Sequence, residues 1–229
     1  MCWVFSFFRN SGSIRVGSFE DGILMKQISF EGTIERPEWH EAFMFDAIHA
    51  ATRATCLKRA VGAVLVRDKR VIASGYAGAP PKTEHCLDMG HCYYERIAWQ
   101  DREKGLGDFK SLKEARKHLC LAVHAEANAL NQCSDLGIAA HGATLYITNF
   151  PCPGCVRDRI LSNHITKIFY WKEYLQNPAV TIDELRESER LLAGARVTTK
   201  RIDLTDTRIM EIARLMTMVG ERTDYSYKP

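Results

Sequence analysis

Apolar residues at Trp39, Phe43, Phe45, Ile48 and Ala51 recur behind Pro37 at a spacing that predicts a first helix. Two short runs rich in β-branched residues follow, at 61–66 and 71–74. The charged stretch Arg67-Asp68-Lys69-Arg70 between them reads as the turn of an antiparallel hairpin. Residues 123–133 have the Ala, Leu and Asn usage of a short helix, 143–148 and 167–171 are strand-like, and 152–161 opens a helix between those two strands. Apolar positions return at helical spacing over 182–193, with Gly194 as the expected C-terminal cap. A last strand is expected at 197–202 and a final helix through Ile209, Ile212, Leu215 and Met216. This order predicts an α/β protein, a three-layer α/β/α sandwich with helices on both faces of a mixed five-stranded sheet.

The pattern divides the chain into an aperiodic extension over 1–35, a core over 36–175, and a C-terminal strand and helices over 176–229. The opening residues 1–8 are apolar but lack a basic start, and Arg9, Asn10 and Ser11 follow them in place of a small-residue cleavage site, so they read as an extension and not as a signal peptide. From Gly75 to about Cys120 the chain is rich in Gly, Pro, His, Cys and charge. That is too long for a plain connection and marks an insert with a task or a staple of its own.

Composition narrows the class. With 46% hydrophobic and 26% charged residues the chain sits in the ordinary globular range. No apolar stretch approaches the ~18 residues of a spanning helix, so no membrane partner is expected. A net charge of +3 supplies no strong basic field for nucleic acid. Eight cysteines without a secretion signal fit a reducing cytoplasm with bound metal better than a disulfide framework.

The chemistry concentrates in two places. His124-Ala125-Glu126 stands at the start of one predicted helix, and Pro151-Cys152-Pro153-Gly154-Cys155 at the start of the next. Two cysteines three apart at a helix start present both sulfurs to one point, and the helix N-terminus favours their ionised form. His124 supplies a third ligand, which leaves the fourth tetrahedral position of a zinc ion for water. Glu126, two residues beyond His124, is placed to move protons and not to ligate. Taken singly, C-x-x-C also fits a redox pair or half of a structural zinc site, and those alternatives stay beside the catalytic reading.

The H-x-E and P-C-x-x-C pair resembles the zinc deaminases, hydrolases that release ammonia from a cyclic amidine. Further motifs narrow the resemblance: Arg36-Pro37-Glu38-Trp39, CLKRAVGAV at 56–64, GYAGAP at 75–80, His85-Cys86, VHAEANAL at 123–130, and 142–155. Over 36–172 the chain resembles the deoxycytidylate deaminase branch of the cytidine deaminase-like superfamily. The resemblance implies hydrolysis of dCMP to dUMP, a catalytic zinc on His124, Cys152 and Cys155, Glu126 as the catalytic residue, and a homo-oligomer. It places substrate contacts at Ala77, Ala125 and Pro151. Two positions depart from the family pattern: its usual GYNG asparagine is Ala77 here, and Asn149-Phe150 stands before the Pro-Cys pair. Several members carry a second zinc in the insert. Cys56, Cys86, His91, Cys92, His118 and Cys120 are the available ligands, and matching by position selects Cys56, Cys86, His91 and Cys120, with plain burial of the cysteines as the alternative.

Rival readings keep part of this. Other superfamily members act on cytidine, dCTP, CMP, guanine, or pterin and flavin precursors. A nucleic-acid deaminase needs a basic and aromatic surface beside its pocket, and a zinc scaffold has no use for Glu126. Elsewhere, His40 and His164 carry no expected role, and His49, on the pattern of the first helix, is expected to pack. Tyr170, Trp171 and Tyr174 are expected as core in preference to a base-stacking platform. Residues 183–190 read as a solvated helix face, and Met210, Met216 and Met218 as packing residues, with a subunit contact as the alternative.

Overall fold

The computed structural model describes residues 35–103, 111–173 and 181–217. The chain divides into a unit Met1–Arg36 and a unit Pro37–Pro229, and the second carries every element described. All but the last residue of the expected extension, 1–35, lies outside the described residues.

Helix α1 spans Trp39–Ala51 and starts from a capping box in which Glu38 and Glu41 bond each other's backbone N–H. Strands β1 (Gly62–Arg67) and β2 (Arg70–Tyr76) form the expected hairpin. Its two-residue turn puts both Asp68 and Lys69 at positive φ, 51° and 58°, the twist that suits a tight hairpin. The insert folds into α2 (Cys86–Met89), α3 (Tyr93–Glu103) and α4 (Leu112–Leu119), with α3 and α4 packed on each other. Then come α5 (Ala125–Asp135), β3 (Thr144–Asn149), a short α6 (Pro153–Cys155) running into a π-helical turn (Val156–Leu161), β4 (Lys167–Lys172), α7 (Ile182–Gly194), β5 (Thr198–Arg201) and α8 (Asp206–Thr217).

The sheet order is β2-β1-β3-β4-β5. Strand β3 pairs antiparallel with β1 and parallel with β4, and β4 is parallel to β5, so the sheet is mixed as expected. Alternation along the strands builds the layers. Ala63, Leu65, Leu145, Ile147 and Ile168 pack with Ala125, Ala129, Leu130 and Cys133 of α5 and Leu192 of α7. Val64, Val66 and Tyr146 pack with Phe43, Met44 and Ala47 of α1 and Ile212 of α8. Buried on both faces, β1 is a continuous apolar run, which is why its sequence hardly alternates.

Two glycines let the helices sit close on the sheet. A Cβ on Gly62 would lie 2.1 Å from the Ala47 carbonyl oxygen of α1, and one on Gly75 would lie 2.3 Å from the Ala125 carbonyl oxygen and the Ala129 nitrogen of α5. Backbone atoms cannot give way as a flexible side chain can, so these positions require hydrogen in place of a side chain.

Several expectations need correction. Gly194 is the last residue of α7 and not its cap; the left-handed residue is Arg196, at φ 57°. The helix at 152–161 is α-helical only to Cys155, and its wider π-turn keeps Val156 and Ile160 buried while Arg157, Asp158 and Arg159 stay exposed. His49 is exposed in place of packed. Met210 and Met216 are 45% and 56% exposed because α8 uses Ile209 and Ile212 as its inner face; Met218 lies outside the described residues. Trp171 is core-anchored, its indole N–H donating to the Leu204 carbonyl at 2.9 Å, and Tyr170 meets Phe150 edge-on. Tyr174 lies outside the described residues. Among the described residues no helix is long and apolar enough to cross a membrane.

Candidate functional site

Two helix starts meet beside the end of β3. His124 is the N-cap of α5, with the extended backbone of a cap (φ −70°, ψ 152°). Cys152 is the N-cap of α6, and Pro153, which has no N–H to lose, opens that helix. The Cys152 sulfur accepts the Cys155 backbone N–H at 3.5 Å. Nδ1 of His124 lies 3.4 Å from the Cys152 sulfur and 3.3 Å from the Cys155 sulfur. Zinc–sulfur and zinc–nitrogen bonds of ordinary length at a tetrahedral angle set such ligand atoms about 3.5 Å apart. One imidazole nitrogen and two sulfurs at these separations therefore fit zinc, with a carboxylate oxygen of Glu126 in the same group and all the atoms within 4.8 Å of one another.

Electrostatics follow from this crowding. Hydrogen bonding from Cys155 and then to His124 outweighs burial and holds the Cys152 thiol far below its usual range, at about 4. Cys155 is pushed up by its hydrogen bond to Cys152, by burial and by Glu126. The hydrogen bond to Cys152, helped by the Glu126 and Cys152 charges, raises His124 to about 9 against the effect of burial. Glu126 is only 3% exposed, and burial raises its carboxyl above the usual range.

The supports of this site come from residues that sequence reasoning passed over. The Asn128 amide donates to the Tyr76 carbonyl at 2.8 Å and ties the first turn of α5 to the end of β2. Gly78 and Val123 exchange two backbone hydrogen bonds, at 3.2 and 2.8 Å, just ahead of His124. Ser188 is fully buried and donates to the Pro151 carbonyl at 3.0 Å, which anchors the residue before Cys152. Ser188 is the one uncharged residue among 186–190, the only local signal that this otherwise solvated face turns inward there.

The three residues expected as substrate contacts, Ala77, Ala125 and Pro151, are all buried. Ala77 is buried, its N–H bonded to the Val61 carbonyl and its carbonyl to the Thr55 N–H. Ala125 is wholly buried and its side chain joins the core, while Pro151 is among the fully buried residues.

The second expected metal set is assembled less completely. Burial is the main cause that raises the Cys120 thiol, and Cys56 and Cys86 are near enough to add to it. Cys92 in turn feels Cys86. His91 is turned to other partners, with Nδ1 2.8 Å from the Met89 carbonyl and Nε2 3.1 Å from the Arg96 guanidinium. Among the described residues, His124, Glu126, Cys152 and Cys155 are the one group of three or more His, Cys, Asp or Glu at metal-holding separations.

Residues 37–172 match the family of the cytidine and deoxycytidylate deaminase zinc-binding region. ComE operon protein 2 of Bacillus subtilis is 31% identical over 173 residues, 76% of this chain and 76% of that protein. The deoxycytidylate deaminase of Mycobacterium phage D29 is 37% identical over 140 residues, 61% of this chain and 99% of that enzyme. Among solved structures, the dCMP deaminase of cyanophage S-TIM5 in complex with dCMP and dUMP superposes with a TM-score of 0.52 at 22% identity, covering 73% of this chain and 99% of that one, a likeness of fold. The matched residues contain the whole of the His124–Cys155 cluster, and this chain belongs to the cytidine and deoxycytidylate deaminase family.

Proposed function

We propose that the chain hydrolyses the exocyclic amine of a cytosine nucleotide, converting dCMP to dUMP and ammonia, at the His124–Glu126–Cys152–Cys155 cluster. The observation that carries this reading is the seating of His124 Nδ1 against both sulfurs with the buried Glu126 carboxyl in the same group. His124, Cys152 and Cys155 hold zinc, which when bound acidifies water and so supplies a nucleophile near neutral pH.

The protein's own part is proton movement in a dry site. Glu126 takes a proton from the attacking water and delivers it to the ring nitrogen N3 as the new C4–O bond forms. It then carries the hydroxyl proton to the amino group, the C4–N bond breaks, and ammonia leaves. Burial that lifts the Glu126 carboxyl brings its proton affinity closer to what such a shuttle needs at neutral pH. Ala77, Ala125 and Pro151 bound the pocket by shape. The thiols of Cys56, Cys86 and Cys120 form a second, structural zinc site only if they close further than they stand here.

The test is ammonia release by zinc-loaded protein from dCMP, dCTP, CMP, deoxycytidine, cytosine and guanine, beside a Glu126→Gln variant. Turnover of dCMP that disappears in the variant is the expected result. Inactivity on every cytosine compound, or equal turnover by the variant, overturns it.

A further inference from the structure

We infer that Arg59 is the anion-binding residue of this site and receives the phosphate of the nucleotide; the inference rests on the function proposed above.

Backbone bonds fix where Arg59 stands. The segment 55–61 is held on one side by Ala77, whose carbonyl accepts the Thr55 N–H at 3.1 Å and whose N–H donates to the Val61 carbonyl at 2.8 Å. Its following residue, Gly62, donates to the Thr148 hydroxyl at 3.2 Å, and that hydroxyl donates to the Asn149 side-chain oxygen at 3.1 Å. Ala77 adjoins Gly78, which pairs with Val123 next to His124, while Asn149 leads through Phe150 and Pro151 into Cys152. Arg59 therefore sits on a short segment held between the end of β2 and the end of β3, next to the helix starts that carry the metal ligands. Its guanidinium is close enough to His124 to work against protonation of the imidazole.

Among the described residues no carboxylate compensates the charge of Arg59. The residue is half-buried, yet among the described residues its side chain has no ion pair or hydrogen bond. Its neighbour Lys58 has Glu95 at 2.8 Å, and the nearest carboxyl in the cluster, Glu126, is buried and committed to the group around His124. A half-buried guanidinium with no counter-charge among the described residues, on a segment beside the ligand cluster, is a receptor for a planar or tetrahedral oxyanion, which it can grip with two parallel N–H donors. A nucleoside phosphate supplies that anion at one end and an amino-bearing ring at the other. Arg59 also brings a polar grip to a pocket in which Ala77 has no polar side chain to offer.

The experiment compares the zinc-loaded protein with Arg59→Gln and Arg59→Lys variants. Calorimetry measures binding of dUMP and deoxyuridine, and kinetics measure kcat/KM for dCMP and deoxycytidine; zinc content and thermal melting confirm that the variants are folded and loaded. The expected result is a preference for the phosphorylated member of each pair that falls roughly 10- to 100-fold in Arg59→Gln, with Arg59→Lys between the two. A dUMP preference that survives in Arg59→Gln, or equal weakening of dUMP and deoxyuridine, overturns the assignment. Wild-type protein that binds dUMP no better than deoxyuridine overturns it as well, even if deoxycytidine is deaminated. Conversely, a dUMP preference lost in Arg59→Gln without turnover of any cytosine compound retains the phosphate site and overturns the proposed reaction.

Discussion

Arg208 of α8 clamps Glu41 of α1 with two parallel hydrogen bonds, Nε to Oε1 at 3.0 Å and NH2 to Oε2 at 2.9 Å, across 167 residues of sequence. Glu41 is at the same time the capping-box partner of α1, so one carboxylate starts the first helix and docks the last. The Arg208 hydrogen bonds hold the Glu41 carboxyl below its usual range. A carboxylate with a depressed folded pKa stabilises the fold above the unfolded value, about 4.3, and that contribution fades as pH falls through the folded value. A double-mutant cycle of Glu41→Gln and Arg208→Met should return a coupling of about 1 kcal/mol at pH 7 that shrinks towards pH 3. A coupling that grows on acidification contradicts the assignment.

The metal ligands lie 28 and 31 residues apart in sequence, with α5 and β3 between them. Binding at His124, Cys152 and Cys155 closes that loop and is linked to folding. Exhaustive chelation should therefore lower the melting temperature as well as remove activity, and Cys152→Ser should reproduce both effects. Metal analysis is expected to give about one zinc per chain from the assembled cluster. A value near two, reduced by Cys56→Ser, would assign the second ion to the cysteines of the insert.

Ser188 offers a test of support at a distance. Its buried hydroxyl holds the Pro151 carbonyl, so Ser188→Ala leaves a buried acceptor without its donor and should cost about 1–3 kcal/mol of stability. Because that carbonyl belongs to the residue before Cys152, the variant should also release zinc faster to a chromogenic chelator. Ser188→Thr, which keeps the hydroxyl, is expected to lose less. Unchanged release by the alanine variant would show that the hydrogen bond does not position the ligand.

The sequence carried the sheet and the metal cluster for a common reason: both are written in local patterns. The short β-rich runs at β1 and β3 mark strands, and His124, Glu126, Cys152 and Cys155 sit at helix starts whose spacing brings their atoms together. The supports were silent because each is a single ordinary residue whose partner is remote. Ser188 bonds Pro151 across 37 residues, Asn128 bonds Tyr76 across 52, and the hydroxyl of Thr148 meets Gly62 across 86. The left-handed residue after α7 fell on Arg196 and not on Gly194, because Gly194 still completes the helix and the turn to β5 comes two residues later. Arg59 was hidden for another reason. A lone arginine in a charged segment carries no signal until its surroundings show that no carboxylate among the described residues answers it.

Gly75 acts as a clearance gauge. It stands on the outermost strand and touches no ligand, and its backbone φ lies outside the left-handed region, so its torsions would accept alanine. Only the thickness of a side chain is forbidden there, because the first turn of α5 rests directly on it. Gly75→Ala must lift that turn, and with it His124 and Glu126, away from Cys152 and Cys155, at a cost of about 1–3 kcal/mol. In a scan of β2 by alanine, metal retention should be lost most sharply at Gly75. The height at which the site rides above the sheet is set by a methyl group that the chain leaves out.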